Sequence, residues 1–256
     1  MIPIEFGGHR FSGPGAWSDL TPKWYRQWVR WQRKGAPHVG LYALLRIWYK
    51  LKKKHLDLLD DDQRAVLVDT LFSFLSERPS HWMQPRLRVW LRRYRGPGDR
   101  LQHLTFGEFM FAESARSGIG ETPTNEQMAE LAAALYRPYQ AGAQGERSAL
   151  DKGAFDRQIK RFSYLSTDTL QGVLINYYGC HDQLVARFEN LYPKTKTESS
   201  EEGGSWLDVG LNLARQTGAL GTFNQLEQTN VYLVLSVLDS VMREQAELKE
   251  NMKSHE

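Results

Sequence analysis

The sequence predicts a mainly α protein, a multi-helix bundle preceded by a short N-terminal β-hairpin. Three observations carry that expectation. Apolar residues recur at spacings of three and four over most of the chain, as in Leu41, Leu44, Leu45, Trp48 and Leu51. Three reciprocal capping signatures stand just ahead of such runs: Thr105 with Glu108, Thr124 with Gln127, and Thr222 with Gln225. Only the first twenty residues read differently, with Ile2 to Phe6 and His9 to Phe11 flanking Gly7-Gly8 as two strands around a glycine turn.

Taken in order, Thr21-Pro22 starts a helix that runs to about Lys34, because the hydroxyl caps free N–H groups and proline lacks the donor the first turn would waste. Gly35-Ala36-Pro37 interrupts it, and the next helix ends in Lys52-Lys53-Lys54. Asp60-Asp61-Asp62 places negative charge at the start of a helix carrying Val66, Leu67, Leu71, Phe74 and Leu75, closed by Arg78-Pro79. Further helices are expected from Thr105, from Thr124, over 151–162 and over 168–178. The stretch 193–205 is rich in Thr, Ser, Lys, Glu and Gly and reads as a flexible linker. It divides a helical domain, 1–192, from a C-terminal helical segment, 206–256. That segment is expected to hold a short helix to Gln216 and a longer one from Phe223, with Val231, Val234, Leu235, Leu238, Val241 and Met242 on one face.

Charge is unevenly spread. Residues 1–100 hold 19 basic and 9 acidic residues, against 14 and 21 in the remainder. Such a dipole suits an acidic partner, head-to-tail self-association, or contact between the two parts of the chain. The longest strictly apolar run is six residues, Leu131 to Tyr136, far short of the roughly 18 to 20 that span a bilayer. With no signal-like start and a single cysteine, Cys180, a cytoplasmic protein is expected, with no membrane partner.

Few chemical signatures stand out. The seven histidines are scattered without the spacing of a helical zinc site. Cys180-His181 pairs a nucleophile with a base in sequence only, and reads as a buried thiol beside a surface histidine. Gly96-Pro97-Gly98 and Gly118-Ile119-Gly120 are turns rather than phosphate loops. No catalytic residue, cofactor or metal is expected.

The strongest candidate surface lies in residues 23–54, where ten Lys or Arg occur with no acid, interleaved with Trp24, Tyr25, Trp28, Trp31, Trp48 and Tyr49. A second basic stretch holds Arg86, Arg88, Arg92, Arg93 and Arg95. Basic side chains among stackable rings suit nucleic acid. The competing reading puts the tryptophans, spaced by four and three, on one buried helix face, with basic stems lying across it. Trp24, Arg26, Arg30, Arg33, Arg46 and Lys50 are the candidate partner-binding residues, chosen for the absence of acids around them.

Four segments occur in a set order: Trp17-Ser18-Asp19-Leu20-Thr21, Gly96-Pro97-Gly98-Asp99-Arg100-Leu101, Leu104-Thr105-Phe106-Gly107-Glu108-Phe109 and Leu135-Tyr136-Arg137-Pro138. In that order they resemble the helical tail-assembly proteins encoded just ahead of the tape-measure gene in some bacterial prophages. The resemblance implies a non-enzymatic chaperone or scaffolding role, with a tape-measure or other tail protein as partner and no catalytic residues. The basic cluster from Lys23 to Lys54 exceeds what the resemblance implies. Nucleic-acid binding by residues 23–54 is the alternative.

Overall fold

A computed structural model describes residues 1–34, 37–192, 205–217 and 220–253. In chain order its elements begin with strands β1 (Ile2–Phe6) and β2 (His9–Gly13) and helices α1 (Pro22–Arg33), α2 (Pro37–Trp48), α3 (Lys53–Leu56) and α4 (Asp61–Leu71). Strands β3 (Arg86–Val89) and β4 (Arg92–Arg95) follow, then α5 (Phe106–Ser117), α6 (Asn125–Leu135) and the two-residue strand β5 (Arg137–Pro138). The chain continues through α7 (Phe155–Phe162), α8 (Thr167–Arg187), α9 (Trp206–Thr217), α10 (Phe223–Gln228) and α11 (Val231–Lys253). The protein is mainly α, as expected, with 61% of residues helical.

Two compact units emerge: residues 1–84 with 166–179, and residues 85–165 with 180–256. α8 gives its first part to one and its last turns to the other. The expected C-terminal segment, 206–256, falls within the second unit. The expected linker, 193–205, lies outside the described residues except for Ser205, whose hydroxyl caps α9 by accepting from the Asp208 N–H at 3.2 Å. The expected break at Gly35-Ala36 also lies outside them.

In the first unit β1 and β2 form the expected antiparallel hairpin, pairing Phe6 with His9 across Gly7-Gly8. Both glycines have positive φ, 57° and 72°, which suits a two-residue hairpin turn and which side chains resist. Thr21 caps α1 by accepting from the Trp24 N–H at 3.3 Å. The core gathers Trp17, Tyr25, Trp28, Val29, Leu44, Leu45, Trp48, Tyr49 and Phe72. Trp17 meets Trp28 edge to face at 4.9 Å. Two buried polar groups tie α1 and the 79–83 loop to α8: the Tyr25 hydroxyl donates to the Gly172 carbonyl at 2.7 Å, and Asn176 accepts from the Met83 N–H at 2.6 Å while donating to the carbonyls of Pro79 and His81.

Some boundaries differ from expectation. α4 opens on Asp60, which caps the Gln63 N–H at 2.7 Å, but it ends at Leu71, where Phe72 leaves helical geometry before a 3-10 turn at 73–76. Val66, expected in the core, is 65% exposed. α8 does not stop near residue 178. Gly179, which reads as a stop, instead admits the Pro79 carbonyl, only 2.3 Å from where a Cβ would stand.

The second unit holds a three-stranded antiparallel sheet, ordered β3-β4-β5, that was not among the expected elements. The expected helix over 151–162 opens with a 3-10 turn at 152–154 before α7. The expected C-terminal helix breaks into α10 and α11 because Phe106 donates to the Thr229 carbonyl at 2.8 Å and Val231 to the Leu104 carbonyl at 3.0 Å. Trp206 packs edge-on against Phe109 at 4.9 Å, so α9 shares the core of α5.

One buried ionic node organises this unit. Glu108, at the start of α5, accepts from Arg137 Nε at 2.8 Å and from Arg147 Nη2 at 3.0 Å. Arg137 also donates to the carbonyls of Ala133, Ala134 and Tyr136, satisfying the C-terminal end of α6. All three ionic side chains are buried. Burying charge is costly, and the node holds because nearly every polar atom has a partner.

Candidate partner-binding surfaces

The structure separates the predicted residues. Arg30 and Arg33, one turn apart on α1, converge on Asp168 at 2.8 and 2.9 Å. The stretch is therefore acid-free in sequence but not in space, a correction to the reason for choosing it. Burial opposes the charge on Asp168, and the hydrogen bonds and charges of Arg30 and Arg33 outweigh it, holding this carboxyl below its ordinary value. Arg26 lines a shallow cleft of about 380 Å³ with Lys23, Gln27, Arg30 and Asp168. Arg46 and Lys50 are exposed and line no part of that cleft.

The aromatic half of the predicted surface faces inward. Trp28 and Trp48 are buried, whereas Trp24 and Trp31 are half-buried against the same core rather than fully buried as the spacing suggested. Trp24 lies against Trp48 with ring centroids 6.1 Å apart. These rings are largely committed to packing, which leaves little face for stacking on a base.

The second basic stretch behaves differently. β3 and β4 pair Arg86 with Arg95, Leu87 with Tyr94, Arg88 with Arg93 and Val89 with Arg92. Alternation sends Leu87, Val89 and Tyr94 into the core and leaves Arg86, Arg88 and Arg93 exposed, while Arg92, on the same side as Tyr94, is exposed where the strand meets the turn. Beneath them Tyr94 meets Phe162 edge to face at 5.0 Å. Trp90 and Leu91 form the turn and stand 74% and 87% exposed. Burying a large apolar side chain stabilises by about 1.5 to 3 kcal/mol, and these two adjacent ones remain in water.

Backbone geometry adds to this. Trp90 has φ of 56°, in the left-handed region that a bulky side chain rarely occupies. Its ring meets Tyr164, itself 74% exposed, edge to face at 5.9 Å. Between the turn and α7 runs an open groove of about 410 Å³. Among the described residues, Arg86, Arg88, Arg92 and Arg93 have no carboxylate partner, whereas Arg95 pairs with Glu146.

Sequence reasoning had registered the arginines of residues 86–95 but missed the exposed Trp90-Leu91 pair. The available signal was local: apolar residues at 87 and 89 alternating with arginines, then two consecutive apolar residues where a turn belongs.

Elsewhere the titratable groups serve packing. Cys180 is buried, and burial pushes its thiol up to about 12, away from the thiolate a nucleophile needs. His181 is buried rather than on the surface, 3.4 Å from Glu113. Burial would raise Glu113, but hydrogen bonds from His181 and Arg116 hold it down to about 2. Among the described residues no cluster of three His, Cys, Asp or Glu could hold a metal ion, and no helix is long and apolar enough to cross a membrane.

No protein-family model, curated protein or solved structure matches the chain. The four segments in which the sequence resemblance is read each have a folding role here. Trp17 donates to the Glu77 carbonyl at 3.1 Å, and Thr21 caps α1. Gly98, at φ of 78°, makes the turn of the second segment. Glu108 of the third segment meets Arg137 of the fourth at 2.8 Å.

Proposed function

We propose that the protein is a non-enzymatic assembly factor that works in the cytoplasm by holding another protein, with a tape-measure or other viral tail protein as its partner. The observation that carries the protein-contact reading is the exposed Trp90-Leu91 turn beside Tyr164. Trp90 and Tyr164 beside the exposed arginines are of the residue types enriched at the energetic centres of protein interfaces. The order of the four motif segments supports the choice of a tail protein. The exposed cations Arg26, Arg46 and Lys50, with Trp24 behind them, provide a second contact area on the first unit.

Nucleic-acid binding is the second reading, favoured by the unpaired arginines on β3 and β4. It requires affinity that falls steeply with added salt, since counterion release drives it.

The test is co-expression of the tagged protein with the long helical product of an adjacent gene. Retention of that product by the wild-type chain, lost in a Trp90→Ser, Leu91→Ser variant of unchanged helical content, is the expected result. Recovery of nuclease-sensitive material with no protein partner would overturn it in favour of the second reading.

A further inference from the structure

The groove beside Trp90 also constrains what the partner looks like, if the protein-contact reading above is right. It is concave, walled by Val89, Trp90, Leu91 and Tyr164, and so fits an inserted side chain better than a flat surface. Its two banks carry cations from different elements: Arg92 on β4, Lys160 and Arg161 on α7. Asp156, one turn before Lys160, is the single acid of α7.

A separate cleft on the same strands is lined by Arg86, Arg88, Arg93 and Arg95. Arg88 and Arg93 stand directly opposite one another on paired strands, an arrangement in which like charges repel. An anion lying between two such guanidinium groups converts that repulsion into two charge-assisted hydrogen bonds.

We infer that the groove takes an acidic protein segment bearing one large apolar anchor, the anchor packed against Trp90, Leu91 and Tyr164 and its flanking carboxylates on Arg92, Lys160 and Arg161.

The experiment uses the full chain and a fluorescein-labelled peptide in which a Leu-Phe pair is flanked by glutamates, read by anisotropy. Saturable binding is expected, weakened on the order of tenfold by Trp90→Ser and again by Lys160→Glu with Arg161→Glu. Trp90→Phe should bind as wild type. Replacing the glutamates by glutamine, or Leu-Phe by Ser-Ser, should abolish binding. Binding that ignores Trp90→Ser overturns the inference. So does preference for phosphatidylcholine–phosphatidylserine vesicles or for single-stranded oligo(dT). If Trp90→Ser, Leu91→Ser releases the co-expressed protein while the peptide fails to bind, the partner chemistry is wrong and the docking reading stands. If neither is affected, both fall.

Discussion

α1 and the β3–β4 hairpin are built from nearly the same ingredients, arginine and tryptophan with almost no acid, yet the two elements use them in opposite ways. On α1 a period of 3.6 puts Tyr25, Trp28 and Val29 on the buried side and Arg26, Arg30 and Arg33 on the other. On the hairpin a period of two buries Leu87, Val89 and Tyr94, and the turn has no inward side, so Trp90 and Leu91 are left in water. The arginines diverge as well. Arg30 and Arg33 share Asp168, while Arg88 faces Arg93. Density of charge and rings in a sequence therefore says little about where a partner binds. What matters is which rings the local period leaves uncovered.

Mutations should sharpen that contrast. The largest effects belong to buried groups. Trp28→Ala should cost about 3 to 5 kcal/mol, through lost burial and an unfilled cavity, measured by urea unfolding. Arg137→Ala should cost less, about 2 to 4 kcal/mol, because it leaves the buried Glu108 with Arg147 alone and removes a donor from the carbonyls at the end of α6, whereas Arg88→Ala should change stability by no more than about 0.5 kcal/mol. A comparable loss at Arg88 would mean the hairpin arginines are structural.

A smaller effect concerns Asp168. Its folded pKa lies below the ordinary value, so its contribution is complete above the unfolded pKa, near 3.8, and disappears as pH falls through the folded one. Asp168→Asn should therefore destabilise at neutral pH by about 1 kcal/mol, and the gap from wild type should close as pH drops below about 4. A gap that persists in acid would contradict the ion-pair account. The smallest effect has the opposite sign: Trp90→Gly should raise stability by up to about 1 kcal/mol, since glycine accepts the positive φ. A loss instead would show that the Trp90 ring helps hold the hairpin.

Helix starts were legible because capping is local chemistry. Thr21, Asp60, Thr105, Thr124 and Thr222 each stand at the N-cap of a helix. The mainly α class and the glycine hairpin follow from equally short-range signals. What escaped depended on distant neighbours. Gly179 reads as a helix stop, and only the packed Pro79 carbonyl explains why α8 runs through it. Asp168 is 138 residues from the Arg30 it pairs with. Strands of four residues with every other position arginine, as in Arg86–Val89, resemble a basic loop until Tyr94 and Phe162 give them a core to cover. The candidate surface was half visible for the same reason: its arginines are a matter of composition, and the exposure of Trp90 is a matter of fold.

Hydroxyl-radical footprinting of the chain, alone and with its co-expressed partner bound, tests the central claim most directly. Protection concentrated on Trp90, Leu91 and Tyr164, with Trp24 and Trp31 unchanged, is the predicted result. Protection confined to residues 23–54, with the hairpin turn as reactive in the complex as in the free chain, would contradict it.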